Sequence, residues 1–146
     1  MRVIAGSLKG RRLEAPPAGD LAIRPTSDRA REALFSILGA WPPGAFLDLF
    51  AGTGAVALEA FSRGCSPVIC VEKQRDALLL LHRNSRGTDL DIREMDALKL
   101  PPEAFRDLGF VFSDPPYAHS EGILLALAPR IRGWLRPLGL LQCSQC

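Results

Sequence analysis

The stretch Phe46–Ala57, FLDLFAGTGAVA, decides the fold because it places a strand, a turn and a helix start in one short run. Residues 45–49 predict a buried strand, and the two glycines that follow predict a tight turn. A glycine turn between a strand and a helix lets a ligand approach the backbone, and it directs helix N–H groups at that ligand. Residues 52–57, GTGAVA, fit the loose dinucleotide-binding pattern, which allows alanine at its third small position.

On either side of this stretch, the chain alternates between short apolar runs and helical patterns. We expect strands at 45–49, 67–71, 90–94, 110–113 and 139–142, and helices at 28–38, 55–63, 75–84, 103–108 and 121–135. Buried four- to five-residue strands separated by helices indicate an α/β fold with a doubly wound, mostly parallel sheet. Residues 1–40 form a basic N-terminal segment and helix, and residues 41–146 form the core of the same single domain.

Composition excludes several classes of protein. The chain has 146 residues, of which 47% are hydrophobic and 23% charged, so it can bury one sizeable core and is not disordered. Since no apolar run approaches ~18 residues and no secretory signal opens the chain, we expect a cytoplasmic protein without a membrane span. Cys143 and Cys146 have C-x-x-C spacing but no second ligand pair, so no metal site is expected.

Positive charge concentrates at the N-terminus. Residues 1–40 hold seven basic and four acidic residues, whereas residues 41–146 hold eleven basic and twelve acidic ones. Lys9, Arg11 and Arg12 lie in a stretch of thirteen residues without an acid. Arginine-rich clusters suit phosphate contact, because the guanidinium fork pairs bidentately with oxyanions. Charge alone leaves two interpretations open, a nucleic-acid contact and a solvated basic surface.

Two acids beside the glycine turn bear on which cofactor is bound. Asp48 lies near the end of the first strand, and Glu72 follows Gly52 by twenty residues at the end of the next strand. A ribose diol suits Glu72 with either a nicotinamide cofactor or S-adenosylmethionine. Asp48 favours S-adenosylmethionine, whose ammonium and sulfonium groups are cationic. An ordinary strand, turn and helix without a ligand is the third interpretation.

The loop Asp114-Pro115-Pro116-Tyr117 follows the expected fourth strand. The prolines lock φ and lack N–H donors, but they keep their carbonyl acceptors. A carboxylate, a Pro115 carbonyl and an aromatic ring together suit an exocyclic amino group on a planar base. The amine donates to Asp114 and Pro115, the base stacks on Tyr117, and the nitrogen lone pair is directed at a methyl donor. Both loops lie at the strand ends where open α/β sheets bind ligands.

With these motifs in view, the chain resembles the RsmD family of bacterial methyltransferases. The resemblance spans residues 2–139 and rests on the following segments: RVIAG at 2–6, KGRRL at 9–13, RPTSDRAREALF at 24–35, FAGTG at 50–54, LEA at 58–60, SRG at 62–64, VE at 71–72, Asn84 and DPPY at 114–117. The family's fold is the class I, Rossmann-like fold of S-adenosylmethionine-dependent methyltransferases. Its substrate is a guanine 2-amino group of small-subunit (16S) ribosomal RNA, in an assembled or assembling particle.

The resemblance implies a set of site residues. The implied catalytic residues are Asp114, Pro115, Pro116 and Tyr117. The cofactor S-adenosyl-L-methionine is implied to contact Asp48, Phe50, Ala51, Gly52, Thr53, Gly54 and Glu72, with adenine near Met95 and Asp96. The expected RNA contacts are Lys9, Arg11, Arg12, Arg24, Thr26, Arg29 and Arg31. We expect a monomer that binds ribosomal RNA.

Two departures from the family pattern leave alternatives open. Ala57 stands where the family usually has glycine, and the chain stops at Cys146, just into the fifth strand, before the further helix and antiparallel strands of such folds. One alternative is therefore a catalytically silent, truncated RNA-binding remnant. Another is an adenine amino-methyltransferase, because an Asp-Pro-Pro-Tyr loop serves either base.

Overall fold

The structure is a computed structural model that describes residues 1–19, 23, 25–39 and 44–143. Its five strands form one sheet in the order β3-β2-β1-β4-β5, and every neighbouring pair is parallel. The strands are β1 (Phe46–Leu49), β2 (Val68–Glu72), β3 (Asp91–Glu94), β4 (Leu108–Ser113) and β5 (Leu135–Cys143). The helices are α1 (Asp28–Leu38), α2 (Ala55–Ser62), α3 (Arg75–Asn84) and α4 (Ser120–Trp134). The predicted α/β architecture with a parallel sheet is confirmed.

Helices cover both faces of the sheet, and β1, β2 and β4 are therefore buried along their whole length. One core cluster joins strand residues such as Phe46 and Phe110 to α1, α2 and α3. The other joins Leu47 and Val111 to α4 through Leu127, among others. This division explains the continuous apolar runs of the central strands, which have no solvent-facing side.

The first helix has the predicted bounds but buries only part of the predicted face. Ser27 caps it by accepting a hydrogen bond from the Ala30 N–H at 3.1 Å. Hydrophobic periodicity predicts one buried face of Ala30, Ala33, Leu34, Ile37 and Leu38. Of these, Leu34 and Leu38 are buried, whereas the other three are exposed, Ile37 by 73%. The buried residues are Arg31, Leu34, Phe35 and Leu38. The face was predicted only in part, because a buried arginine takes a position that hydrophobic periodicity assigns to solvent.

Two other expectations for local structure were wrong. The expected helix at 103–108 is absent from this described segment, where β4 already begins at Leu108. A 3-10 turn forms earlier, over Ala97–Lys99, because the Asp96 side chain accepts a hydrogen bond from the Leu98 N–H at 3.0 Å. Strand β5 starts directly after α4 and is longer than the expected 139–142.

Residues 1–13 form a small hairpin packed on α2. The Val3 N–H donates to the Arg11 carbonyl at 3.0 Å, and Arg2 pairs with Arg12 in an antiparallel bridge. Val3 and Leu13 pack against Ala55 and other residues of α2. The described helices include none that is long and apolar enough to cross a membrane.

Candidate active site

The predicted cofactor and catalytic loops meet at one edge of the sheet. Leu49 of β1 is in register with Val71 of β2 and with Ser113 of β4. The next residue along each strand is therefore Phe50, Glu72 or Asp114, and all three lie at one level on adjacent strands. The structure thus brings the glycine turn, Glu72 and the Asp114 loop together, as the sequence predicts.

Asp48 is a buried acid in an unfavourable environment. Its side chain is 1% exposed, and Oδ1 has no hydrogen-bond partner among the described residues. Burial raises the pKa of this carboxyl well above its usual range, and the charges of Glu72 and Asp114 raise it further, against an opposing hydrogen bond from the Ala57 backbone. A cation placed here would satisfy the orphan oxygen and reverse the repulsion between the acids.

Glu72 has the opposite character, because backbone donors hold its carboxylate. Oε2 accepts the Gly52 N–H at 2.8 Å, and Oε1 accepts the N–H groups of Lys73 and Gln74, each at 2.8 Å. These bonds fix the glycine turn to the end of β2. A carboxylate has about four lone-pair sites, so one acceptor position remains for a hydroxyl group in addition to the three donors.

The glycine turn has the backbone conformation that its sequence requires. Gly52 and Gly54 have φ of +57° and +81°, and Phe50 also lies in the left-handed region at +68°. A Cβ at Gly52 would meet no atom within 4 Å, so the backbone there is open to a ligand. A Cβ at Gly54 would collide with Leu81 of α3, which makes glycine necessary at that position.

Met95 and Asp96 follow β3 and lie beside the Glu72 strand end. The Met95 N–H donates to the Glu72 carbonyl at 2.9 Å. The Leu98 N–H lowers the pKa of Asp96, and the adjacent Lys73 ammonium, 3.2 Å from Oδ2, lowers it further. The two residues thus extend the row of strand ends from β1 and β2 to β3, on the side away from Asp114.

The loop after β4 contains the predicted catalytic residues. Asp114 is half-buried, Pro115 is buried and Pro116 is exposed. The Pro116 carbonyl accepts the His119 N–H at 3.4 Å, so it is already used within a 3-10 turn that begins at Tyr117. Asp114, which directly follows Ser113 of β4, lies level with Phe50 at the start of the glycine turn.

The two ends of helix α2 are a reference for locating the expected RNA contacts relative to the glycine turn. The helix begins at the glycine turn, and two side-chain contacts show which end of α1 lies nearer to that turn. Arg31 Nη1 lies 3.5 Å from the carbonyl of Ala55 at the start of α2, whereas Arg63 after its end stacks 4.9 Å from the Phe35 ring. The start of α1, with half-buried Thr26 and exposed Arg29, therefore lies at the cofactor end.

Arg31 does not serve as the expected RNA contact. It is 0% exposed, bonds to the Arg2 carbonyl at 2.8 Å and to Asp28, and lies 3.8 Å from the carboxylate of Glu59. A fully buried guanidinium with these partners cannot reach a phosphate. The expectation for Arg31 is corrected to a structural role, joining α1, α2 and the hairpin.

The hairpin arginines and lysine differ in position. The tip of the hairpin contacts Ser62 at the far end of α2. Ser62 lies about 12 Å along the helix axis from the glycine turn. Lys9 belongs to this tip, whereas exposed Arg12 lies opposite Arg2 at the open end. Arg11 is half-buried and bonds to the Arg86 carbonyl at 2.6 Å. Arg24 lies outside the described residues.

One residue that organises this region was not among the predicted site residues. Glu59 is fully buried and accepts the N–H groups of Ile4 at 2.8 Å and Ala5 at 3.0 Å. It also pairs with Arg63 at 2.8 Å. The available signal was its charge, because Glu59 is the one ionisable residue in α2, AVALEAFS.

Known proteins resemble the chain along most of its length. A family model described as conserved hypothetical protein 95 matches residues 1–145. The protein YlbH of Bacillus subtilis is 38% identical over 129 residues, covering 83% of this chain and 69% of that protein. Ribosomal RNA small subunit methyltransferase D of Escherichia coli K12 is 34% identical over 121 residues, covering 80% of this chain. The chain spans 60% of the length of that relative.

Solved structures agree with the sequence comparison. A hypothetical protein of Thermus thermophilus aligns with a TM-score of 0.86 and 33% identity, covering 98% of this chain and 84% of that one. Methyltransferases of lower identity share the same fold. A family match over nearly the whole chain, together with these identities, shows that the chain belongs to the RsmD family and has the class I methyltransferase fold.

Proposed function

We propose that the protein transfers a methyl group from S-adenosylmethionine to the exocyclic 2-amino group of a guanine in small-subunit ribosomal RNA. The observation that carries the proposal is the meeting of Asp48, the glycine turn, Glu72 and Asp114 at one edge of the sheet. Membership of the RsmD family supports methyl transfer to ribosomal RNA. We also propose that the protein is cytoplasmic and monomeric and that it acts on a ribosomal particle.

The residues at this edge fit the proposed cofactor. The orphan oxygen of Asp48 calls for a cationic group, and S-adenosylmethionine carries both an ammonium and a sulfonium. Glu72 keeps an acceptor for a ribose hydroxyl, and the open backbone at Gly52 lets the ligand come close. Met95 and Asp96 are proposed to flank the adenine. When bound, the cofactor supplies an electrophilic methyl group.

The Asp114 loop is proposed to hold the accepting base. The Asp114 carboxylate and the Pro115 carbonyl accept hydrogen bonds from the exocyclic amine, and Tyr117 stacks on the base. This arrangement directs the nitrogen lone pair towards the cofactor edge, so the loop acts by positioning and electrostatics. The proline rings keep the acceptors from moving between turnovers.

The RNA is proposed to cross the cofactor end of α1 and the open end of the hairpin. A target base must leave its stack to reach Tyr117, so the flanking backbone has to be held while the base is extruded. Arg12 and Arg29 are exposed at that end, and Thr26 lies beside Arg29. Phosphate contacts from these side chains would position the strand without specifying its sequence.

Labelled methyl transfer tests the proposal. The protein is incubated with methyl-labelled S-adenosylmethionine and with small subunits, large subunits or naked 16S RNA from cells that lack the native activity. We expect label in small-subunit RNA, recovered as N2-methylguanosine after digestion. Label recovered as N6-methyladenosine would assign the adenine alternative. Cofactor binding without transfer to any of these RNAs would contradict the proposal and favour the catalytically silent alternative.

A further inference from the structure

One buried amide joins the two halves of the proposed site. Asn84 ends α3 and is 4% exposed. Its Oδ1 accepts the Glu14 N–H at 2.7 Å, and its Nδ2 donates to the Glu14 carbonyl at 3.0 Å and to the Thr53 carbonyl at 2.9 Å. Both amide donors and one acceptor are therefore used, and a buried side chain so fully bonded has one fixed orientation.

The partners of Asn84 belong to two segments with different proposed roles. Thr53 lies in the glycine turn, between the two left-handed glycines. Glu14 directly follows the hairpin, two residues after Arg12. Two further contacts join the same parts of the chain. The ion pair of Arg83 with Glu14 and the bond from Arg11 to the Arg86 carbonyl, just after α3, are exposed and do not reach the glycine turn.

The bond to Thr53 acts on the peptide group that shapes the turn. The Thr53 carbonyl and the Gly54 N–H belong to one planar peptide unit. Asn84 holds the carbonyl side, and the Ala51 carbonyl accepts the Gly54 N–H at 2.9 Å. Two opposed hydrogen bonds therefore prevent this peptide from rotating. Without Asn84 one side is released, and the turn can leave the conformation that exposes Gly52.

We infer that Asn84 is a positioning residue that keeps the glycine turn ready for the cofactor and links its order to that of the hairpin. The inference rests on the proposed function, because that function assigns the turn to S-adenosylmethionine and the hairpin to RNA. Thermodynamic coupling between two sites is reciprocal. A cofactor that orders the glycine turn therefore also orders Glu14, at the end of the hairpin, through the Asn84 side chain.

Substitution of Asn84 tests the inference with S-adenosylhomocysteine as the probe. We expect Asn84→Ala to weaken its binding about tenfold in calorimetry well below the unfolding temperature, the scale of one lost buried hydrogen bond. Asn84→Asp keeps an acceptor for Glu14 but cannot donate to Thr53, so it should weaken binding at least as much. Ser85→Ala is the matched control, because Ser85 is buried at the same helix end and its hydroxyl donates to the His82 carbonyl rather than to the glycine turn.

A general loss of stability would not produce this pattern. It would lower the unfolding temperature of a variant and leave the affinity of its folded form unchanged. Equal affinities in wild type and both Asn84 variants would overturn the inference while leaving the proposed function intact. If wild type itself fails to bind S-adenosylhomocysteine, the proposed function fails.

Hydrogen exchange in the unsubstituted protein gives a second test that needs no variant to fold. We expect S-adenosylhomocysteine to slow exchange of the Glu14 amide severalfold, because that N–H bonds to Asn84. The Lys9 amide, which bonds to the Gly6 carbonyl within the hairpin tip, should exchange at an unchanged rate. Unchanged exchange at Glu14 in the presence of bound ligand would contradict the linkage.

Discussion

Two buried carboxyl groups show how differently this fold treats its structural and functional regions. Glu59 in α2 and Asp48 in β1 are 0% and 1% exposed. Glu59 accepts two backbone N–H groups and pairs with Arg63, and the guanidinium of Arg31 lies nearby. Asp48 has an oxygen without a partner among the described residues, and its charged neighbours are other acids.

The difference distinguishes the network around Glu59, whose groups are paired, from the site at Asp48, where one oxygen has no partner among the described residues. Buried polar groups are normally hydrogen-bonded, and buried charges are normally paired. Glu59 obeys that rule and holds the hairpin to α2. Asp48 breaks it at the edge of the sheet where ligands bind, and perturbed carboxyls in such places mark candidate functional sites. The missing partner of Asp48 is therefore expected to be a cationic ligand.

The largest effect is expected at the network around Glu59. Glu59→Gln removes the buried counter-charge near Arg31, which keeps only the exposed Asp28 as an acidic partner, and it replaces one of the oxygens that accept hairpin N–H groups. We expect a loss of about 3–5 kcal/mol in the free energy of unfolding, measured by denaturant titration. Glu32→Gln, on the exposed face of α1, is the control and should change stability little. A loss below about 1 kcal/mol for Glu59→Gln would show that the network does not hold the hairpin.

The next effect is expected in catalysis. Asp114→Ala removes an acceptor for the reacting amine and leaves the glycine turn in place. We expect methyl transfer to fall by about a hundredfold or more, the scale of losing one preorganised polar group. Affinity for S-adenosylhomocysteine, measured in parallel, should change little. Turnover close to that of wild type would remove Asp114 from the proposed mechanism.

A smaller effect, opposite in sign to that of Glu59→Gln, is expected at Asp48. Because burial and neighbouring acids raise the pKa of Asp48, ionisation costs the folded state. Asp48→Asn should therefore stabilise the unliganded protein at pH 7, although it weakens cofactor binding. Such a gain would sharpen the contrast with Glu59.

The pH dependence of this gain follows from the direction of the shift. Below the pKa of the unfolded carboxyl, near 4, Asp48 is protonated in both states, and wild type and variant differ least. As the pH rises, the unfolded chain ionises first, so wild type loses stability until the pH passes the raised folded pKa. Denaturant titrations across this range should show the advantage of Asp48→Asn growing with pH. A constant or shrinking advantage would contradict a raised pKa.

The smallest effect concerns the RNA surface. Replacing Arg12 and Arg29 together by Ala should lower the slope of log affinity against log salt by about 1.4, because each phosphate contact on single-stranded RNA contributes roughly 0.7. Arg132→Ala, exposed near the end of α4, should leave the slope unchanged. Filter binding across a salt series measures both. An unchanged slope in the double variant would mean that these arginines do not contact phosphates.

The sequence predicted the parallel sheet and the edge where the loops meet, because apolar runs and glycine turns are local signals. The bounds of α1 and α3 were predicted correctly, because the helical patterns of residues 28–38 and 75–84 are also local signals. The buried role of Arg31 was missed, because its partner Glu59 lies 28 residues away in the chain. No local pattern distinguishes an arginine that pairs inside the fold from one that faces RNA.

The environments of individual site residues could not be predicted from the sequence. The sequence placed Asp48 and Glu72 at strand ends, but only the structure separates their environments. Three backbone N–H groups hold the carboxylate of Glu72, whereas the burial of Asp48 results from strands on both sides. Such differences depend on packing between distant segments and cannot be obtained from spacing alone.

Calorimetric titration with S-adenosylmethionine, S-adenosylhomocysteine and NAD tests the central claim most directly. The claim is that the glycine turn and the buried Asp48 carboxyl, which has an oxygen without a partner among the described residues, form one site. That site binds a nucleoside cofactor that carries a positive charge and no pyrophosphate. We expect both sulfur nucleosides to bind wild type, and Asp48→Asn to bind them more weakly, while NAD binds neither protein. Tighter binding of NAD than of S-adenosylhomocysteine to wild type would contradict the account.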